Sequence, residues 1–297
     1  MTVSAIDIGS NSVRLLTVDA QGAEIRKEVE VTALARGVDA AGLLSEAAVV
    51  ATERTLSKFA ALIESDGSDR VGIVATSASR DATNGAEVMA RLERILGVAP
   101  EIIGGGREAS LAFAGATAHM PVGTHVVVDI GGGSTEVIKG SDAIQWAHSY
   151  DIGSVRLTDR GQMGHPMPRA GLATARQAAD VVLSTPRPEV KSDSIIGVAG
   201  TFTSIAAIVL ELAEYDRTKV HLAELSLEDI EGTVDRLASM TLSDVAAIPS
   251  LDPKRAPAIL GGTIVAAATM SALSSTTVTV SEHDLLDGLA AELLTEG

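Results

Sequence analysis

The sequence predicts an α/β protein in two parts, and three observations carry that prediction. Short apolar runs alternate with amphipathic stretches, the pattern of strands covered by helices. A strand–loop–strand signature is written twice, as Asp7-Ile8-Gly9-Ser10-Asn11-Ser12 and again as Asp129-Ile130-Gly131-Gly132-Gly133-Ser134-Thr135-Glu136. A chain of 297 residues is also long enough for about two domains, each burying its own core.

The elements follow in order. Apolar runs at 3–6 and 13–16 bracket the first loop, and a third strand is expected over 24–32. A helix over 45–64 takes Ser45 as N-cap and sets Val49, Thr52, Leu56, Phe59, Ala60 and Ile63 on one face. A buried strand at 71–76 precedes a helix over 86–96 that Gly97 ends. A short strand at 101–103 leads through three glycines into a helix beginning near Arg107. After Pro121 the pattern restarts with strands at 125–130, 134–139 and 143–150, then helices over 153–160 and 171–183. A strand at 194–199 breaks at Gly200-Thr201 into a helix reaching residue 212. An amphipathic helix is expected over 226–239, an alanine-rich one over 256–273, a last strand at 278–280 and a last helix over 282–294. The proline-bearing segments 184–193 and 249–257 read as loops. The domain boundary is expected at 119–123, giving domains 1–119 and 120–283, with residues 284–297 packing back on the first.

Composition narrows the function classes. The formal charge is −16 and aromatic residues make up 2 % of the chain, so neither a basic stripe nor a stacking platform for nucleic acid is present. With no cysteine there is neither a disulfide framework nor a thiolate nucleophile or metal ligand. No apolar stretch matches a membrane span, and no basic-then-apolar leader precedes the first strand, so a cytoplasmic protein with no membrane partner is expected. The six histidines show no ligand spacing.

Gly and Ser in a tight loop let backbone N–H groups and hydroxyls close on an anion, and phosphate suits such a cradle. Ser10, Asn11 and Ser12 form one candidate cradle; Gly132, Gly133, Ser134 and Thr135 form the other. The aspartate ahead of each loop can hold a hard cation or orient water, which makes Asp7 a candidate alongside Asp129. Arg14 and Arg80 are the cations best suited to grip two phosphate oxygens through a planar guanidinium; Arg255 and Arg107 are weaker candidates for the rim. Thr201, at a strand-to-helix break, offers donors from a helix N-terminus, or is an ordinary cap. Glu108, by residue chemistry alone, is an acidic side chain complementing the macrodipole in a helix's first turn.

Together the segments Asp7–Arg14, 76–84, Glu108-Ala109, Asp129–Glu136, 197–204, 280–282 and Asp287-Gly288 resemble the exopolyphosphatase / guanosine pentaphosphate phosphatase (Ppx/GppA) family of the actin–Hsp70–sugar kinase superfold, nearly end to end. The resemblance implies two actin-like (ribonuclease H-like) α/β domains, mixed sheets flanked by helices, with an inter-domain active-site cleft. It implies Glu108 as the catalytic base toward an attacking water, and Asp129 and Glu136 as holders of Mg²⁺, directly or through water. The implied reaction removes the terminal phosphate of inorganic polyphosphate, with guanosine pentaphosphate (pppGpp) as the alternative or a second substrate. An ATP-dependent small-molecule kinase of the same superfold, or a non-hydrolytic binder of phosphorylated nucleotides, are the rival classes; a homodimer is compatible with either. This sequence departs from the family at Arg107, where a first glutamate is usual, and at Asp284 and Leu286, where glycine and arginine are expected. The extra helical domains of longer members are not expected.

Overall fold

A computed structural model describes residues 1–185 and 192–295. The chain divides into two compact units, Met1–Ala118 with Asp284–Gly297, and His119–His283. Most of the loop expected over 184–193 lies outside the described residues.

The first unit is built on strands β1 (Val3–Ile8), β2 (Ser12–Val18), β3 (Glu24–Val31), β4 (Arg70–Ala75) and β5 (Glu101–Ile102) in the order β3-β2-β1-β4-β5. β1 pairs antiparallel with β2 and parallel with β4, so the sheet is mixed. Every residue of β1 is buried, as a central strand covered on both faces requires. Its helices are α1 (Val38–Ala41), α2 (Glu46–Asp66), α3 (Ser77–Asp81), α4 (Gly85–Leu96), α5 (Gly105–Thr117) and, from the far end of the chain, α13 (Leu285–Thr295). Ser45 caps α2 by accepting from the Ala48 N–H, and Gly67 ends it in the left-handed region at φ 67°. The predicted apolar face of α2 is buried at Val49, Thr52, Leu56, Phe59 and Ile63.

The second unit repeats the scheme. Strands β6 (His125–Ile130), β7 (Thr135–Gly140), β8 (Ile144–Tyr150), β9 (Ser194–Val198), β10 (Glu224–Ser226) and β11 (Thr277–Val280) run in the order β10-β11-β9-β6-β7-β8. β6 pairs antiparallel with β7 and parallel with β9, as β1 does with β2 and β4. The two mixed sheets flanked by helices expected of an actin-like pair are therefore present. The helices here are α6 (Ser154–Arg160), α7 (Arg169–Leu183), α8 (Ala199–Val209), α9 (Arg217–Val220), α10 (Leu227–Ser239), α11 (Leu242–Ala246) and α12 (Ala256–Ala272). α12 is buried from Ala258 through Met270, so it runs through the core rather than along the surface.

Three expectations need correcting. α8 ends at Val209 rather than reaching residue 212. The segment 249–257 is not a plain loop: Pro253–Arg255 forms a 3-10 turn and α12 already starts at Ala256. Pro257 sits in the first helical turn, where its missing N–H costs nothing. The last helix starts at Leu285 rather than at 282, because Ser281 Oγ closes a turn with His283 and Asp284 accepts from the Leu286 N–H.

α5 and α13 meet at two glycines. A Cβ on Gly115 would lie 1.9 Å from the Asp284 carbonyl oxygen, and one on Gly288 would lie 2.1 Å from the Leu111 carbonyl oxygen. Both obstacles are backbone, which no rotamer change relieves. Gly288→Ala is therefore expected to destabilise the protein by about 1–3 kcal/mol, read as a lower urea midpoint at unchanged slope.

Candidate active site

In the first unit the β1–β2 hairpin loop is closed by the Gly9 N–H on the Ser12 carbonyl, 3.0 Å. Its outer side is held in turn, since the Asn11 carbonyl accepts from Thr32 and Ala33 and the Ser10 carbonyl accepts from Ala35. The Ser10 hydroxyl lies 2.8 Å from that of Ser77 and accepts from the Ala78 N–H. It fastens the loop to the start of α3, so the groups this position offers a ligand belong to its backbone. Asn11 and Ser12 are half-buried at the loop tip.

Asp7 and Arg14 are partners in the β1–β2 register, on the same face of the sheet. Arg14 donates from Nε (3.0 Å) and Nη2 (2.7 Å) to Asp7 Oδ2, and from Nη1 to Asp284 Oδ2. Both carboxylates are buried, and Asp7 Oδ1 is buried with no hydrogen-bond partner. Burial pushes the Asp7 carboxyl above its ordinary value, Arg14 pulls it back, and the neighbouring Asp284 charge adds to the rise.

Glu108 lies in the first turn of α5 and is only 6 % exposed. Arg80, from α3, places Nη1 3.3 Å from Glu108 Oε2 and 2.7 Å from the Ile103 carbonyl. The structure thus brings together two residues 28 positions apart that the sequence singled out separately. Arg107 points elsewhere: it forks onto Glu292 of α13, holding that carboxyl below its ordinary value. Its charge serves as a strut between two helices. Asn84, part of the resembling segment, clamps both backbone groups of Leu44 and is likewise structural.

In the second unit Asp129 and Glu136 face each other across the β6–β7 register and are 6 % and 1 % exposed. Ser149 Oγ donates to Glu136 Oε1 at 2.5 Å, fixing that oxygen. The loop between them repeats the first one, with the Gly131 N–H on the Ser134 carbonyl at 3.0 Å. The Gly132 carbonyl accepts from Val155 and Arg156 at the start of α6, and a Cβ on Gly153 would lie 2.7 Å from Gly132. Gly133 and Ser134 are buried at the same loop, whereas Thr135 turns its hydroxyl to the Ile152 carbonyl, 2.7 Å. Thr201, opening α8, donates to the Ile130 carbonyl at 2.9 Å. Arg255 lies against the same helix start, with Nη1 2.1 Å from where a Gly200 Cβ would stand.

Sequence reasoning missed three features of these surroundings. Asp284 completes the Arg14 cluster. Arg156 is a buried arginine paired with Asp151. His119, His221 and His283 pack edge-to-face, with ring centroids 5.2 and 5.0 Å apart. Each of these joins residues far apart in the chain or at irregular offsets, where no spacing pattern points to them. Among the described residues, no helix is long and apolar enough to cross a membrane.

The model of the Ppx/GppA phosphatase family matches residues 17–296. Exopolyphosphatase 2 of Mycobacterium tuberculosis is 35 % identical over 315 aligned positions, covering 98 % of each chain. A crystal structure of an exopolyphosphatase-like protein superposes with a TM-score of 0.92 at 34 % identity, covering 98 % of this chain and 97 % of the other. The Aquifex aeolicus member of the Ppx/GppA family gives 0.79 at 31 % identity, covering 100 % and 99 %. Matches of that extent and identity span both units, so the chain belongs to the Ppx/GppA phosphatase family and is a phosphoanhydride hydrolase.

Proposed function

We propose that the protein is an exopolyphosphatase that hydrolyses the terminal phosphoanhydride of inorganic polyphosphate with Glu108 as general base. The observation that carries this reading is the buried Glu108 carboxylate on α5, held 3.3 Å from the Arg80 guanidinium. A buried carboxylate beside an arginine is placed to take a proton from water. Arg80 and Arg14 are the charges that neutralise phosphate oxygens as the bond to the leaving group lengthens. The backbone of Ser10, Asn11 and Ser12 in one unit, and of Gly132, Gly133, Ser134 and Thr135 in the other, supplies further donors. Thr201 and Arg255 lie at the start of α8 and extend the second set.

Asp129 and Glu136 suit Mg²⁺ by donor chemistry, as two buried carboxylates facing one another in register. Two are enough for an ion that keeps most of its own water. When bound, Mg²⁺ supplies positive charge to the phosphate oxygens. Asp7, with one buried oxygen lacking a protein partner, is the matching position in the first unit and holds water or cation there.

Polyphosphate is favoured over guanosine pentaphosphate because the 35 % identical relative that matches along the full length is an exopolyphosphatase. The test is phosphate release from tripolyphosphate, long-chain polyphosphate, guanosine pentaphosphate and ATP by the purified protein with Mg²⁺. The expected result is highest kcat/KM on a polyphosphate. Preference for guanosine pentaphosphate would reassign the substrate, and phosphoryl transfer from ATP to a small molecule without water attack would overturn the hydrolase mechanism.

A further inference from the structure

We propose that Asp284 is a built-in competitor for substrate, a carboxylate occupying the Arg14 guanidinium that a phosphate would otherwise take, and so a determinant of how tightly the polyanion binds. The inference deepens the functional reading above and rests on it for the role of Arg14. Arg14 brings one positive charge and meets two carboxylates, Asp7 through Nε and Nη2 and Asp284 through Nη1. Two carboxylates on one guanidinium leave Arg14 less positive charge to offer an incoming phosphate. The two carboxylates are not equivalent. Asp7 is on the strand paired with that of Arg14 and is fixed by register. Asp284 belongs to the turn before α13, 270 residues away in the chain.

Asp284 is itself held in place. Its Oδ1 accepts from the Leu286 N–H at 2.9 Å, its own N–H donates to Asp287 Oδ2 at 2.9 Å, and its carbonyl abuts Gly115. That leaves Oδ2 aimed at Arg14 by the cap of α13 rather than by attraction to the guanidinium alone. A phosphate oxygen reaching Arg14 Nη1 must displace this preset acceptor. Removing the charge while keeping the cap separates the two roles, and asparagine does so, since it caps helices as well as aspartate.

The test is steady-state kinetics of Asp284→Asn on tripolyphosphate, with calorimetric binding of tripolyphosphate to Glu108→Gln and to the double variant Glu108→Gln/Asp284→Asn. We expect KM and Kd to fall by about tenfold, equivalent to ~1.4 kcal/mol, with kcat within about twofold of the parent. The gain should shrink with added salt, because it comes from removing a repelling charge. An unchanged or raised KM and Kd in a variant that melts like the parent would overturn the inference while leaving the hydrolase reading intact. A parent enzyme that releases phosphate from none of the substrates overturns that reading instead. Asp284→Gly, which removes both charge and cap, should bind tripolyphosphate at least as tightly as Asp284→Asn. Failure of both variants to fold would make Asp284 a structural anchor and equally overturn the inference.

Discussion

Glu108→Gln is expected to lower phosphate release by about 10²- to 10⁴-fold, the usual cost of removing a general base. Glutamine keeps the size of the side chain and an oxygen for the Arg80 contact, but cannot take a proton from water. Substrate binding should therefore survive, so the loss falls on kcat with little change in KM. The single-turnover rate of the variant is the decisive measurement. A variant with parent-like turnover would remove Glu108 from the chemistry. Glu108→Ala should be no better than Glu108→Gln in rate, and less stable, because it leaves Arg80 without that carboxylate and empties space at a buried position in the first turn of α5.

Arg14→Met is expected to cost about 3–5 kcal/mol of folding stability, because it strands two buried carboxylates beside each other. The same change should raise KM, through loss of a phosphate-facing cation. The stability deficit has a pH signature. Burial and the Asp284 charge already hold the Asp7 carboxyl above its unfolded value, and Arg14 is the group that opposes them. Without Arg14 the folded value rises further, so the folded state binds more protons than the unfolded chain between the two values. Stability of the variant then falls as pH rises through that window and is regained toward the acid side. Urea titrations of parent and variant at neutral pH and near pH 5 should show the gap narrowing as pH falls. Adding Asp284→Asn to Arg14→Met should recover part of the loss, and a purely additive double variant would show that Arg14 and Asp284 are not coupled.

The parts of this architecture legible in the sequence are those with a local signal. The twin loops announced two hairpins, and the offset of seven that links Asp129 to Glu136 also links Asp7 to Arg14, both being register pairs. Ser45 and Gly97 marked helix ends because caps act within one turn. Short elements such as α1, α3, α9 and β10 left no period to read, being four or five residues or fewer. Hydroxyl direction was equally hidden: Ser10 and Thr135 both look like phosphate ligands in the sequence, yet both hydroxyls bond to the protein's own scaffold. Charge partners across long separations were out of reach for the same reason. Nothing near Arg107 foretells Glu292, and nothing near Arg14 foretells Asp284.

The first unit is interrupted: α13 docks on α5, β1 and β2 only after the entire second unit has been traversed by the chain. During synthesis on the ribosome, the early segment must therefore wait as an incomplete nascent body, its Gly115 groove and the Arg14–Asp7 pair open, while the continuous middle segment is free to acquire its core. The order of acquisition is thus imposed by connectivity.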